Sequence, residues 1–268
     1  MLDPRWSGCG IFRVHRISDR SQRNDRSQRP VHGNQRGCRV NGFILHEDQH
    51  RVIIATGFEN PSDNRKTGDM IQIWILVRAC DPVHAIREGL DRLICGSCMH
   101  RGNGDGSGRS CYVNAGQAPL GIYRAWKAGA YLPLPSVSVF EGRRVRFGAY
   151  GDPTHLPLSL AMAIAGASSG WTGYTHQWRR PSFQAWRQIL MASVDTAAEL
   201  VIARSMGWST FRVTPDLDHW TVETLCASDR SGTPCSECLA CAGARSGIRS
   251  IHIPAHGTGA RHFIESVA

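Results

Sequence analysis

From residue 41 onward, short apolar runs alternate with polar ones in a pattern that predicts most of the fold. Residues 42–45 (GFIL) and 52–55 (VIIA) are β-type runs separated by the polar stretch 46–51, which suits a hairpin. A polar loop over 60–68 leads into residues 70–77 (MIQIWILV), apolar enough to read as a buried strand. Asp81 and Pro82 then open a helix expected to reach about Arg92, with Asp81 as cap and proline in the first turn.

Beyond Gly129 the alternation becomes regular. Strands are expected at 145–150, 171–178, 189–194, 210–213 and 250–254, with helices at 156–167, 182–187 and 196–206 between them. Repeated βα units predict an α/β fold in which a parallel sheet forms a partial or complete TIM-like β-barrel behind a small N-terminal β unit. Ligands of such sheets collect at the carboxyl ends of the strands. Polar residues recur there: Asp152 and His155 after the first strand, Thr175, His176 and Gln177 closing the second, Ser193 and Asp195 ending the third, and Arg212 in the fourth. Asp152, His155, His176 and Asp195 are the catalytic candidates.

Composition narrows the class. With 268 residues and 41 % hydrophobic content, the chain can bury a core without help from a metal. No apolar run approaches the length of about 18 residues needed to span a bilayer, and the N-terminus carries charge where a signal peptide needs an apolar stretch. The expectation is a soluble, cytoplasmic protein with reduced thiols and no membrane partner.

The net charge of +9 points toward nucleic acid as a partner, although all but two of the 31 basic residues are arginine, the exceptions being Lys66 and Lys127. Nine arginines fall in residues 1–40, beside the near-repeats 19–23 and 25–29 (DRSQR). That stretch reads as a disordered arm, with phosphate binding as its alternative role, and 41–268 as one α/β domain.

Cysteine spacing supplies the chemistry. Seven of ten cysteines fall into two groups, Cys95, Cys98 and Cys111, then Cys226, Cys235, Cys238 and Cys241, on insertions at 95–111 and 226–241. Thiolates two residues apart can close on one ion or cluster. The trio suits three irons of a [4Fe-4S] cluster with the fourth left open, or a zinc site completed by His100. The quartet suits one zinc or one closed [4Fe-4S] cluster, the CxxCxxC run favouring iron. Cys9, Cys38 and Cys80 stand apart as isolated thiols. No GxSxG, Walker A or HExxH motif is present.

Two resemblances add to this. The motifs Asn64-Arg-Lys-Thr-Gly-Asp-Met70, Ile94-Cys-Gly-Ser-Cys98, Cys111-Tyr-Val-Asn114, Tyr150-Gly-Asp-Pro153, Gly173-Tyr-Thr-His-Gln-Trp178 and Met191-Ala-Ser-Val-Asp195 resemble an uncharacterised family encoded mainly by bacteriophages and prophages. More distantly, three cysteines ahead of a βα repeat, an aromatic beside the last, and Gly-Asp-Pro at the next strand end are similar to radical S-adenosylmethionine enzymes. That similarity implies that Cys95, Cys98 and Cys111 ligate a reducing cluster and that Gly151 and Asp152 contact the methionine moiety of S-adenosylmethionine. Tyr112 and Ser193 join them as cofactor contacts, and Cys226, Cys235, Cys238 and Cys241 would hold an auxiliary cluster. The spacing departs from that superfamily's usual CxxxCxxC, since Cys98 and Cys111 lie twelve residues apart.

Overall fold

The computed structural model describes residues 41–215, 223–246, 250–257 and 259–267, all within a unit spanning Cys38–Ala268. The arm expected at 1–40, with Cys9 and Cys38, lies outside the described residues.

Ten strands form one sheet: β1 (Gly42–Glu47), β2 (Arg51–Thr56), β3 (Ile71–Val77), β4 (Leu132–Pro133), β5 (Arg144–Tyr150), β6 (Gly170–Thr175), β7 (Met191–Val194), β8 (Thr210–Thr214), β9 (Thr224–Leu225) and β10 (Ser250–Pro254). Their order is β4-β1-β2-β3-β5-β6-β7-β8-β10-β9. The expected hairpin of β1 and β2 is present, and β2 pairs antiparallel with β3. From β3 to β9 every pairing is parallel. β3 is thus the seam between the two regimes, and all seven of its residues are buried, which is why its sequence is apolar on both faces.

The sheet does not close, so the complete-barrel alternative falls. The β1–β2 hairpin occupies the flank of β3 that closure would need, and the edges are the two-residue strands β4 and β9. Very short edges offer little unpaired backbone to another chain.

Helices fill the connections: α1 (Pro82–Arg87), α2 (Arg92–Cys95), α3 (Ala118–Lys127), α4 (Leu158–Ala167), α5 (Ala197–Ser205), α6 (Ala227–Ser231), α7 (Cys235–Cys238) and α8 (Ala260–Val267). The single helix expected from Asp81 to Arg92 is two. Asp81 caps α1 as anticipated, its Oδ1 accepting from Val83 N at 2.9 Å and His84 N at 3.0 Å, but the chain turns at Gly89, whose φ of 64° is left-handed. The restart as α2 ends on Cys95 and so aims the first cysteine pair. α3 and α8 were not anticipated.

Strand register sorts side chains onto two faces. Val145 pairs with Trp171 and Ala192 with Thr210; on that face Val145, Phe147, Trp171 and Val194 pack with Ile164, Leu200 and Ala203 of the helices into the main core. On the other face Gln72, Arg146 and Thr172 stand abreast, then Tyr174 beside Met191, and Phe211 beside Ile251. A smaller core of Met191, Ile251 and Cys241 forms there, with Tyr174, Phe211 and Cys226 against it.

Arg212 belongs to the first of these faces and not to the polar strand ends. Its guanidinium grips Glu223 in two bonds, Nε to Oε1 at 2.9 Å and Nη2 to Oε2 at 2.5 Å, with both side chains buried. Removing one member of a buried pair strands the other charge away from water. Glu223→Ala is expected to lower unfolding stability by about 3–5 kcal/mol in denaturant titrations, and Arg212→Met with Glu223→Leu to recover much of the loss.

Candidate metal centres

Residue placement separates the two cysteine groups. The trio lies at the carboxyl ends of the parallel strands. Cys95 ends α2, and its carbonyl accepts from Gln177 Nε2 at 3.1 Å, while Ser97 Oγ donates to Gln177 Oε1 at 3.3 Å. Between them, Gly96 has a φ of 60°, and a side-chain carbon there would come within 2.4 Å of Gln177 Nε2, so only glycine lets the CGSC turn dock on β6. Cys98 N donates to Cys95 O at 3.2 Å, and Cys111 N returns to His100 O at 3.1 Å. Arg109 clamps the returning strand through Cys111 O and Val113 O at 3.2 and 3.1 Å.

The trio's thiols feel each other. Burial pushes Cys95 well above its ordinary pKa, with Cys98 and Cys111 adding to the shift, and Cys98 is raised by burial and then by Cys111. Cys95 and Cys98, held toward the protonated form, are poor nucleophiles, and a metal would draw off their protons. Tyr150 ends β5 beside Cys95, Cys111 and Arg109, and its hydroxyl is buried without a hydrogen-bond partner.

The quartet packs on the sheet face turned away from the main core, against Thr172, Tyr174 and Ile251. Cys235 N donates to Lys66 O ahead of β3 at 2.8 Å, Cys226 N to His252 O at 2.9 Å, and Cys241 O accepts from Gly173 N within β6 at 3.1 Å. Cys226 precedes α6, and α7 runs from Cys235 to Cys238. Leu239 then takes a φ of 51°, the one left-handed non-glycine among the described residues. That turn brings Cys241 back beneath Tyr174, whose hydroxyl hydrogen-bonds its sulfur. Burial raises the thiols of Cys226, Cys235 and Cys241. All four cysteines line a single pocket, partly open to solvent, whose other walls include Thr172, Tyr174, Leu225 and Ile251.

Arg146 and Tyr112 lie between the groups. Arg146 Nη2 donates to Tyr112 Oη at 2.6 Å, next to Cys111, and its charge also acts on Cys235 of the quartet. Sequence reasoning passed over Arg146 and Tyr174; the available signal was a lone arginine in the otherwise apolar run 145–150.

The remaining candidates divide. Asp152, His176 and Asp195 come together near the trio, while His155 is buried and feels Arg51 as well as Asp152 and Asp48. Asp152 is committed to structure: its Oδ1 accepts from Thr154 N, Thr154 Oγ1 and Thr175 Oγ1 at 3.0, 2.7 and 2.9 Å, and its Oδ2 from Thr175 Oγ1 and His176 N at 2.9 and 3.0 Å. Gly151 packs against Ile75 and the carbonyl of Ile94. Ser193 is buried within β7, and its carbonyl accepts from Trp178 Nε1 at 2.9 Å.

Asp195 is fixed by a capping arrangement at the start of α5. Thr196 Oγ1 accepts from Glu199 N at 3.2 Å, and Glu199 Oε2 reaches back to Asp195 N at 2.8 Å, one residue before its usual target in a capping box. Burial alone would raise the Asp195 carboxyl; the hydrogen bond from His100 and the charges of His176, His100 and Arg179 outweigh it and hold the carboxyl low. Burial likewise lowers His176, assisted by His100 and opposed by Asp195.

Comparison of the chain with protein-family models, with curated proteins and with solved structures returns no match. Among the described residues, no helix is long and apolar enough to cross a membrane.

Two outcomes are expected. Asp152→Ala leaves the amides of Thr154 and His176 without their acceptor and should cost about 2–4 kcal/mol of unfolding stability, measured in denaturant. His155 has its pKa lowered to about 4, by burial first and then by Arg51. A folded-state pKa below the unfolded value means that the unfolded chain binds more protons between about pH 6.5 and 4, so stability falls on acidification through that window. His155→Gln should flatten this part of the Tm-against-pH curve.

Proposed function

We propose that the chain is an iron–sulfur protein, with a closed [4Fe-4S] cluster on Cys226, Cys235, Cys238 and Cys241 and a second, open cluster on Cys95, Cys98 and Cys111. The observation that carries this reading is the quartet's pocket, where four cysteines surround one largely apolar space. A single zinc needs a tight set of sulfurs. At Zn–S bonds of about 2.3 Å, tetrahedral sulfurs stand about 3.8 Å apart with nothing but the ion between them. Among the described residues, the set of three metal-type donors that comes within 4.8 Å contains no cysteine.

The trio's position supports a reactive role. A cluster with three cysteine ligands supplies single electrons and one iron free to take a small ligand, for which the resemblance points to S-adenosylmethionine. Gln177 fixes the CGSC turn, Asp152 ties the ends of β5 and β6 beneath it, and Tyr112 presents a half-exposed ring beside Cys111. The sequential order of β3, β5, β6, β7, β8 and β10 is consistent with a partial barrel of the radical type. On this reading Asp152 serves as scaffold and His176 and Asp195 face the bound ligand, in a phage-encoded protein acting in the bacterial cytoplasm. The quartet, complete in cysteine, stabilises its insertion or passes electrons.

Anaerobic purification and reconstitution test the proposal. The full chain should hold about eight irons and eight sulfides, falling to about four when either group is changed to serine. The reduced EPR spectrum should respond to S-adenosylmethionine in the chain lacking the quartet and lose that response in the chain lacking the trio. Stoichiometric zinc without iron would overturn the proposal; an iron signal indifferent to S-adenosylmethionine would remove its radical part.

A further inference from the structure

Beside the trio lies a second set of donors containing no sulfur. His100 follows Cys98 on a 3₁₀ turn (Met99–Arg101), His176 follows β6, and Asp195 follows β7. One ligand atom from each lies within 4.8 Å of the other two. We propose that these three residues bind a first-row divalent cation through His100 Nε2, His176 Nε2 and Asp195 Oδ1.

A simpler account explains only two of the three. His100 Nε2 stands 2.9 Å from Asp195 Oδ1, an ordinary buried histidine–carboxylate hydrogen bond. It leaves His176 Nε2 enclosed by protein, without a hydrogen-bond partner, and 4.0 Å from the same oxygen. A buried polar nitrogen left unpaired is costly, and aiming it at an already engaged carboxylate makes sense when an ion joins all three. Metal bonds of about 2.0–2.2 Å to nitrogen and oxygen place neighbouring donors about 3–3.5 Å apart, between the two observed separations.

The surroundings match those of a metal-binding histidine. His100 Nδ1 lies 2.8 Å from Ser110 Oγ, the outer partner that fixes ring orientation and tautomer in such sites. With Nε2 on the ion, the ring proton of His100 sits on Nδ1 and faces Ser110 Oγ. Glu199 holds the Asp195 backbone, and the Phe263 ring of α8 lies 5.5 Å from that of His100. Two histidines and one carboxylate leave coordination positions open, a set that suits iron(II), manganese, cobalt or zinc. This proposal does not rest on iron–sulfur clusters, because no cysteine takes part.

Manganese(II) is the probe, since it prefers nitrogen and oxygen to thiolate. The full iron-free chain is titrated with manganese(II), and the free ion is followed by its EPR signal. One bound ion per chain is expected, unchanged in the Cys95→Ser, Cys98→Ser, Cys111→Ser chain. At least tenfold weaker binding is expected in His176→Gln and Asp195→Asn, and about tenfold weaker binding in Ser110→Ala. Far-ultraviolet circular dichroism checks each fold; should His176→Gln and Asp195→Asn fail to fold, Ser110→Ala decides. No binding to the parent chain, undiminished binding in the folded variants, or binding lost only with the cysteines would overturn the proposal.

Discussion

Strand β6 is gripped from both ends, and the chemistry of the molecule depends on that grip. At its carboxyl end Asp152 accepts from Thr175 and His176, and Gln177 holds the carbonyl of Cys95. In mid-strand Gly173 donates to the carbonyl of Cys241, and at the amino end the Leu239 side chain packs over Gly170 so closely that a side-chain carbon there would come within 2.4 Å. Three residues lie between Gly173 and Gln177. One strand thereby holds a backbone carbonyl of each cysteine group.

The space between them is polar by design of the register. Arg146, Thr172 and Tyr174 fall on the face away from the main core because side chains alternate along a strand. Arg146 reaches Tyr112 on one side and acts on Cys235 on the other, which places a permanent positive charge between two groups of thiols. Positive charge there favours thiolates and bound anionic clusters. Arg212 shows the contrasting use of arginine in this sheet, committed to Glu223 on the core face.

Much of this was legible in the sequence, for identifiable reasons. The apolar run 70–77 and the βα alternation after Gly129 are strong periodic signals, and the strands they predict are present. Sequence also grouped Cys235, Cys238 and Cys241, whose spacing is local, with Cys226, and all four line one pocket. What it could not show is long-range: that β1 and β2 block closure beside β3, that Leu239 turns left-handed, or that His100 and His176, 76 residues apart, converge on Asp195. α3 was missed because its apolar positions, Ile122, Tyr123 and Trp126, are few and interrupted by Gly121 and Arg124. Asp152 looked like a ligand-binding carboxylate by position, and its saturation by Thr154, Thr175 and His176 appears only once those strand ends meet.

The central claim is that the two cysteine groups hold separate iron–sulfur clusters, one at the carboxyl ends of the parallel strands and one against the sheet face of Thr172, Tyr174 and Ile251. Iron-edge anomalous diffraction from anaerobically grown crystals tests it most directly. Two distinct iron peaks are expected, one enclosed by Cys226, Cys235, Cys238 and Cys241 and one bounded on three sides by Cys95, Cys98 and Cys111. A single shared peak, or zinc-edge signal in place of iron at both positions, would contradict the account.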